Sequence, residues 1–187
     1  MRPLGRLDAI VARVPLDVPL LGAEVGVAAG RLSSALLRSL PLLTLYMVDL
    51  WAHNASQDYL ATGDWHASRS DQREWNRVLH VARRNTRHAG TRAKMIRADS
   101  ATAAVRIADG TLDFAFIDDD HSLSGCTKSI TAWLPKIKPG GFLSGHDYKH
   151  PRFHFGVTEA VHAFFDPRNM PVERDKDFTW FVRIPKA

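Results

Sequence analysis

Acidic residues recur at one kind of place along this chain. Glu24 stands in AEVGVAAG, Asp49 in LYMVDLW and Asp99 in IRADS. Asp118, Asp119 and Asp120 stand in FIDDDHS, and Asp147 in SGHDY. Each follows a short apolar run, where a buried strand would end. One acid at a strand end is ordinary; acids at successive strand ends exceed what solubility requires. A carboxylate so placed can accept the hydroxyls of a ribose or hold an ammonium group. Beside a histidine it can bind a divalent ion. His121 and His146 adjoin two of these acids and can move a proton. Asp118, His121, His146 and Asp147 are therefore the candidates for catalysis, with Lys149 close by in sequence as a further possible base.

A second feature lies around Glu24. Gly26 and Gly30 follow it, then the helix-like run RLSSALL. Glycines between a strand and a helix let the backbone approach a ligand. The dinucleotide fingerprint G-x-G-x-x-G is missing, and a carboxylate precedes the turn. A pyrophosphate is poorly served by that carboxylate, whereas a cationic centre or amino group is well served. The contrast points away from NAD, and so from a nicotinamide-dependent oxidoreductase, and towards S-adenosylmethionine.

The elements that must position these residues follow from periodicity. Residues 3–13 read as a short amphipathic helix, and LLGAEVG as a buried strand. AGRLSSALLRSL reads as a helix, and LLTLYMVDLW as a second strand. Residues 52–70 are polar and read as a long loop, a partly helical insertion or a lid, with Trp65 as its best substrate candidate. A helix spans roughly 71–88, with Trp75 on its core face. AKMIRAD is a third strand, followed by a short helix over 100–107; LDFAFID is a fourth strand. A helix over 124–134 ends in the turn KPGG. GFLSGHDY is a fifth strand, and residues 157–165 form a helix. MPVERD and FTWFVRI close the chain as two strands joined by a tight turn at 175–177. His150, Arg152, His154 and Phe155, after the fifth strand, are placed to shape a pocket. Strands alternating with helices imply an α/β fold with a mostly parallel sheet, whose ligands bind beyond the carboxyl ends of the strands.

The composition sets the class. The 187 residues favour one domain over 1–187, and 45% hydrophobic with 24% charged residues is ordinary for a globular protein. No apolar run approaches the ~20 residues of a membrane span, and no secretory signal is legible at the start. Cys126 is the only cysteine, which excludes an intrachain disulfide and agrees with a cytoplasmic setting. The net charge of +5 admits anionic partners, with one basic run over 69–94. That run alternates with Trp75, Val78 and Leu79 at helical spacing and reads as a solvated helix face. Nucleic acid is accordingly the less favoured partner.

Taken together, EVGVAAG, LYMVDLW, IRADSATAA and LDFAFIDDDHSLSGCTKSITAWLPKIKPGGFLSGHDY followed by GVTEAVHAFF resemble class I S-adenosylmethionine-dependent methyltransferases. The likeness is to the small-molecule O-methyltransferase-like branch with the pattern IDGDHSY…W…L.PGG…HDY…GV..A, and it covers about 20–165. It implies a Rossmann-like seven-stranded sheet, mostly parallel, with helices on both faces and a C-terminal antiparallel strand pair. It implies O-methylation of a small-molecule hydroxyl, on a sugar or natural product; separately, exposed edges and flat helices can pair, so a homodimer is a possible partner state. Carried over, Glu24, Gly26 and Gly30 line the methionine portion of the cofactor, and Asp49 holds the ribose. Leu50 and Trp51 cover the ribose or adenine face, Asp99 and Ser100 flank the adenine, and Asp118 lies at the centre of the cleft. Related enzymes hold a divalent ion, often Mg2+, between acids at the fourth and fifth strand ends. The carried-over set is Asp118, Asp120 and Asp147, with His146 favoured over His121 as base. The chain departs from the pattern at Ala28 and Asp119, both glycine in the family, and at Leu123, a tyrosine. Two alternatives follow: a nucleic-acid-modifying methyltransferase, and a non-catalytic S-adenosylmethionine-binding protein.

Overall fold

The computed structural model describes residues 5–153 and 155–186. His154 and the first two residues of the expected N-terminal helix lie outside the described residues. The elements run α1 (Gly5–Val11), β1 (Leu20–Val25), α2 (Arg31–Ser39), β2 (Leu43–Asp49) and α3 (Gln57–Ala61). They continue as α4 (Gln72–Thr86), β3 (Ala93–Arg97), α5 (Ser100–Ala104), β4 (Leu112–Ile117) and α6 (Leu123–Trp133). β5 (Ile137–Gly145), α7 (Val157–Phe165), β6 (Glu173–Arg174) and β7 (Trp180–Arg183) complete the chain. The strands form one seven-stranded sheet in the order β3-β2-β1-β4-β5-β7-β6. β1 to β5 are parallel, while β7 is antiparallel to both β5 and β6. The α/β, Rossmann-like sheet with a closing antiparallel pair is thus the observed fold.

Successive strand residues face opposite sides of the sheet, and β4 shows the result. Phe114 and Phe116 join one apolar layer with Leu36, Leu45 and Trp51. Ala115 and Ile117 join the other with Ile130, Trp133 and Phe165. Both faces are covered, so the central strands read as continuous apolar runs without alternation. Gly22 on β1 makes room for Phe114, since a Cβ there would lie 2.5 Å from its ring. The expected KPGG turn is instead an irregularity inside β5. Leu112 pairs with Ile137 but Phe114 with Phe142, and the extra residues are taken up around Gly140 at φ +81°. The final strands are shorter than their apolar runs suggest. β6 has two paired residues and the 175–178 turn takes the rest, with Asp177 and Phe178 at positive φ.

The chain order reverses between β1 and β4, which are neighbours in the sheet. The carboxyl ends of these strands splay there into a crevice. Ser56 caps α3 inside the segment expected to be a loop or partly helical insertion, and Asp71, Asp99 and Ser122 cap α4, α5 and α6.

Candidate active site

A cavity of about 1200 Å3 opens at the carboxyl ends of β1 to β5. Glu24, Gly26, Asp49, Asp99, Asp118 and Asp147 all line it, so the acids separated in sequence converge on one space. The volume exceeds the ~300–1000 Å3 usual for a single ligand site, leaving room for a nucleoside-sized ligand and a second molecule.

The turn after β1 forms one wall. Gly26 has φ +91°, and a Cβ there would lie 1.9 Å from the Asp118 carbonyl oxygen, so only glycine fits. Asp49 organises this turn from β2: its carboxylate accepts the Ala28 N–H at 2.7 Å and the Trp51 N–H at 2.6 Å. Burial raises the Asp49 pKa, against these two amides. Ala28 stands at φ 45°, a left-handed conformation that the family's glycine adopts freely. Glu24 is 3% exposed and accepts the Ser33 hydroxyl. Burial outweighs that bond and pushes its carboxyl up to about 8.

Two expected cofactor contacts do not line the cavity. Gly30 begins α2 at φ +69°, and a Cβ there would lie 3.2 Å from Ala82, so its missing side chain lets α2 pack on α4. Trp51 is fully buried in the core, and its indole N–H donates to the Ala28 carbonyl at 2.9 Å. It braces the turn from beneath, because φ 42° at Trp51 directs the side chain inward. Leu50, 36% exposed, does face the cavity.

The opposite wall carries Asp99, Ser100 and Asp119. Asp99 caps α5 through the Thr102 N–H. The Ser100 hydroxyl accepts the Trp133 indole N–H at 2.9 Å and lies 2.8 Å from the Ser129 hydroxyl. Asp119, which replaces a glycine of the family pattern, is bound by the same Ser129. Burial raises its carboxyl to about 6.

The floor is a ring of two carboxylates and two imidazoles. His121 Nε2 lies 3.2 Å from Asp118 Oδ1 and 3.3 Å from Asp147 Oδ2. His146 Nδ1 lies 3.5 Å from Asp118 Oδ1 and 3.2 Å from Asp147 Oδ1. The other Asp118 oxygen accepts from Arg6 Nη1 at 2.7 Å, while Arg6 Nε binds Asp177 at 2.9 Å. Burial would raise Asp118, but the two imidazoles and the guanidinium outweigh it and hold it well below the usual carboxylate range. Burial opposes charge on both histidines too, and the surrounding acids again win. His121 is held well above its ordinary value and His146 is raised to about 9. The surrounding carboxylates thus favour the charged form of both imidazoles, including that of His146, expected as the base.

Asp118, His121 and Asp147 each offer one ligand atom, all within 4.8 Å of one another. Donors around an octahedral ion at ~2.1 Å stand about 3 Å apart. The 3.2 and 3.3 Å separations on His121 Nε2 are close to that spacing, so these residues fit a divalent ion. The imidazole suits a first-row transition ion better than Mg2+, which prefers oxygen alone. Asp120, expected as a ligand, lines the same cavity, but both of its oxygens are engaged by other donors. One of its oxygens accepts from the Ser122 N–H and hydroxyl, the other from Asn54 at 3.0 Å.

Three neighbours of this floor carried no local sequence signal: Arg6, Asn54 and Asp64. Each reaches the site across more than fifty residues of chain. Trp65 is 66% exposed at the cavity edge under the Arg69 guanidinium, whereas Trp75 is 7% exposed and packs in the core. Phe153 and Phe155 stack on each other, and Phe155 on His121, along the cavity wall. Lys149 is exposed and lies over the Tyr148 ring, 5.1 Å from its centre. Cys126 is buried in the core.

Residues 23–148 match the model of a family described as a methyltransferase domain. No curated protein matches the sequence. Solved structures with the same fold include the calicheamicin methyltransferase CalS11, at 17% identity and a TM-score of 0.65, covering 95% of this chain and 77% of that one. The O-methyltransferase NovP aligns at 18% identity and 0.66, covering 97% and 80%. Precorrin-6y C5,15-methyltransferase from Geobacter metallireducens aligns at 13% and 0.64, covering 100% and 90%. Among the described residues no helix is long and apolar enough to cross a membrane. With the family match spanning the turn at Gly26, the acid of β2 and the floor of the cavity, the chain belongs to the methyltransferase domain family and is an S-adenosylmethionine-dependent methyltransferase.

Proposed function

We propose that the enzyme methylates a hydroxyl oxygen of a small organic acceptor, a sugar or natural product, over the Asp118–His121–Asp147–His146 floor. The observation that carries this reading is that floor: two carboxylates joined by two imidazoles, beside the Gly26 turn. A hydroxyl acceptor must lose a proton, and a cluster of this kind takes it up. Among the neighbours, NovP is described as an O-methyltransferase and CalS11 as a TDP-rhamnose 3'-O-methyltransferase.

S-adenosylmethionine supplies an electrophilic methyl group on a sulfonium. The chain's own task is alignment and exclusion of water. Glu24 faces the ammonium of the methionine portion, and Gly26 lets the backbone pass close to it. Asp49 meets the ribose hydroxyls while it holds the turn, Leu50 forms an apolar wall, and Asp99 and Ser100 flank the adenine. Phe155, Phe153 and Trp65 enclose the acceptor. Asp147 lies on the acceptor side of the floor, with both imidazoles approaching its oxygens. Asp118, His121 and Asp147 would hold a divalent ion, whose chemistry is to lower the pKa of the acceptor hydroxyl. This donor set shares Asp118 and Asp147 with the expected one and adds His121 as a nitrogen donor.

The test combines calorimetry with transfer of labelled methyl groups. S-adenosylmethionine and S-adenosylhomocysteine should bind, and NADH should not. Label should pass to members of a panel of sugar nucleotides, phenols and aliphatic alcohols, with RNA and DNA as separate arms. A folded protein that binds neither adenosyl ligand would overturn the reading of the cavity. Label appearing in nucleic acid, and in none of the small hydroxyl compounds, would overturn the acceptor class.

A further inference from the structure

Asp64 lies in the 52–70 segment, 57 residues before His121, yet it is 8% exposed. Its Oδ2 accepts from His121 Nδ1, and its Oδ1 accepts the His66 N–H at 2.7 Å. His121 is thus held at both ring nitrogens: Nδ1 on Asp64, and Nε2 between Asp118 and Asp147. An imidazole whose one nitrogen is fixed by a carboxylate presents the other in a set orientation and tautomer. That is the usual outer support of a metal-ligating histidine.

The same segment is tied to the β4–α6 junction at two other points. Asn54 donates to Asp120, and Ser124 donates to Asp58 at 2.6 Å. Of these three ties, the one from Asp64 reaches a candidate ion ligand. We propose that Asp64 is a positioning residue that presents His121 Nε2 as nitrogen donor to a divalent ion shared with Asp118 and Asp147, and so couples the placement of the 52–70 segment to occupancy of that ion site. The inference rests on the ion-binding part of the proposed function. On binding, the ion takes the place of the Nε2 proton, which leaves to solvent, while the Nδ1 proton stays on the hydrogen bond to Asp64. Because coupling is reciprocal, an ion that needs the segment in place also holds it there.

The experiment titrates the full chain with Mn2+, followed by calorimetry and by the electron paramagnetic resonance of the free ion. The wild type is compared with Asp64→Asn and Asp64→Glu. Loss of an outer carboxylate weakens such sites by roughly 10–100-fold. Asp64→Asn should show a loss of that size, and Asp64→Glu should recover part of it. Limited trypsin digestion at Arg69 gives a second readout. Mn2+ should slow cleavage of the wild type and leave the Asn variant unaffected. Affinity for S-adenosylhomocysteine, measured on each variant, shows that the adenosyl end of the cavity is folded. Equal Mn2+ affinity of wild type and Asp64→Asn would overturn the role of Asp64 while leaving the ion site standing. A wild type that binds S-adenosylhomocysteine but no Mn2+ would overturn the ion site and this inference together, and leave the adenosyl reading intact.

Discussion

Glu24 offers a test that reads the cavity through protons. Its carboxyl is buried and raised to about 8, so at pH 7 it is about 90% protonated in the free enzyme. An ammonium brought within ~4–6 Å lowers such a pKa by ~1–3 units. A shift of ~2 units leaves it about 10% protonated, so binding should release ~0.8 proton at pH 7. The ligand's own amino group is already mostly charged there and takes up little. Calorimetry of S-adenosylhomocysteine in buffers of different ionisation enthalpy measures this number directly. Methylthioadenosine, which lacks the amino-acid portion, should release none, and neither should Glu24→Gln with either ligand. The sign for stability runs the same way. A carboxyl raised in the fold holds its proton between pH ~4.5 and 8 while the unfolded chain has lost it, so the free enzyme loses stability as pH rises through that window. Glu24→Gln should flatten that decline. Identical binding enthalpies in all buffers for the wild type would refute the pairing of Glu24 with an ammonium.

Asp49→Ala removes the acceptor of two backbone amides and, by the reading above, the ribose partner. Each charge-assisted bond is worth ~1.5–3 kcal/mol, so adenosyl affinity should fall by two orders of magnitude or more in calorimetry. Asp147→Ala should spare that affinity and abolish methyl transfer; equal affinity losses in both variants would mean the acceptor side is misplaced. Trp51→Ala should destabilise the fold by ~3–5 kcal/mol in denaturant titration, whereas Leu50→Ala should leave stability near wild type and weaken adenosyl binding. Gly26→Ala drives a Cβ into the Asp118 carbonyl; it should lower both the melting temperature and adenosyl affinity, and unchanged values would show the turn to be more pliable than its contacts imply.

Much of the fold was legible because its signals are local. The apolar runs of β1 and β4 and the period of α2 and α4 are written within a few residues. Strand ends are local too, so the acids at Glu24, Asp49, Asp99, Asp118 and Asp147 could be placed along one edge of a parallel sheet. The KPGG bulge misled because a Pro-Gly-Gly run signals a turn whether the chain reverses or merely kinks within a strand.

The sequence by itself therefore determined the class of fold, the row of acids and the family. Only the tertiary structure decided which way each side chain faces. Trp51 and Leu50 are adjacent, yet one is core and the other is wall. Asp118 and Asp120 share one loop, yet one closes the floor of the site and the other ties down Asn54. Gly26 and Gly30 look alike in the motif, but the first meets Asp118 and the second meets α4. Arg6 and Asp64 reach the floor from distant segments with no pattern of their own. The reason is the range of the forces involved. Periodicity and capping act over a few residues, whereas the partner of a buried charge is chosen by whichever segment the packed core brings within hydrogen-bonding distance.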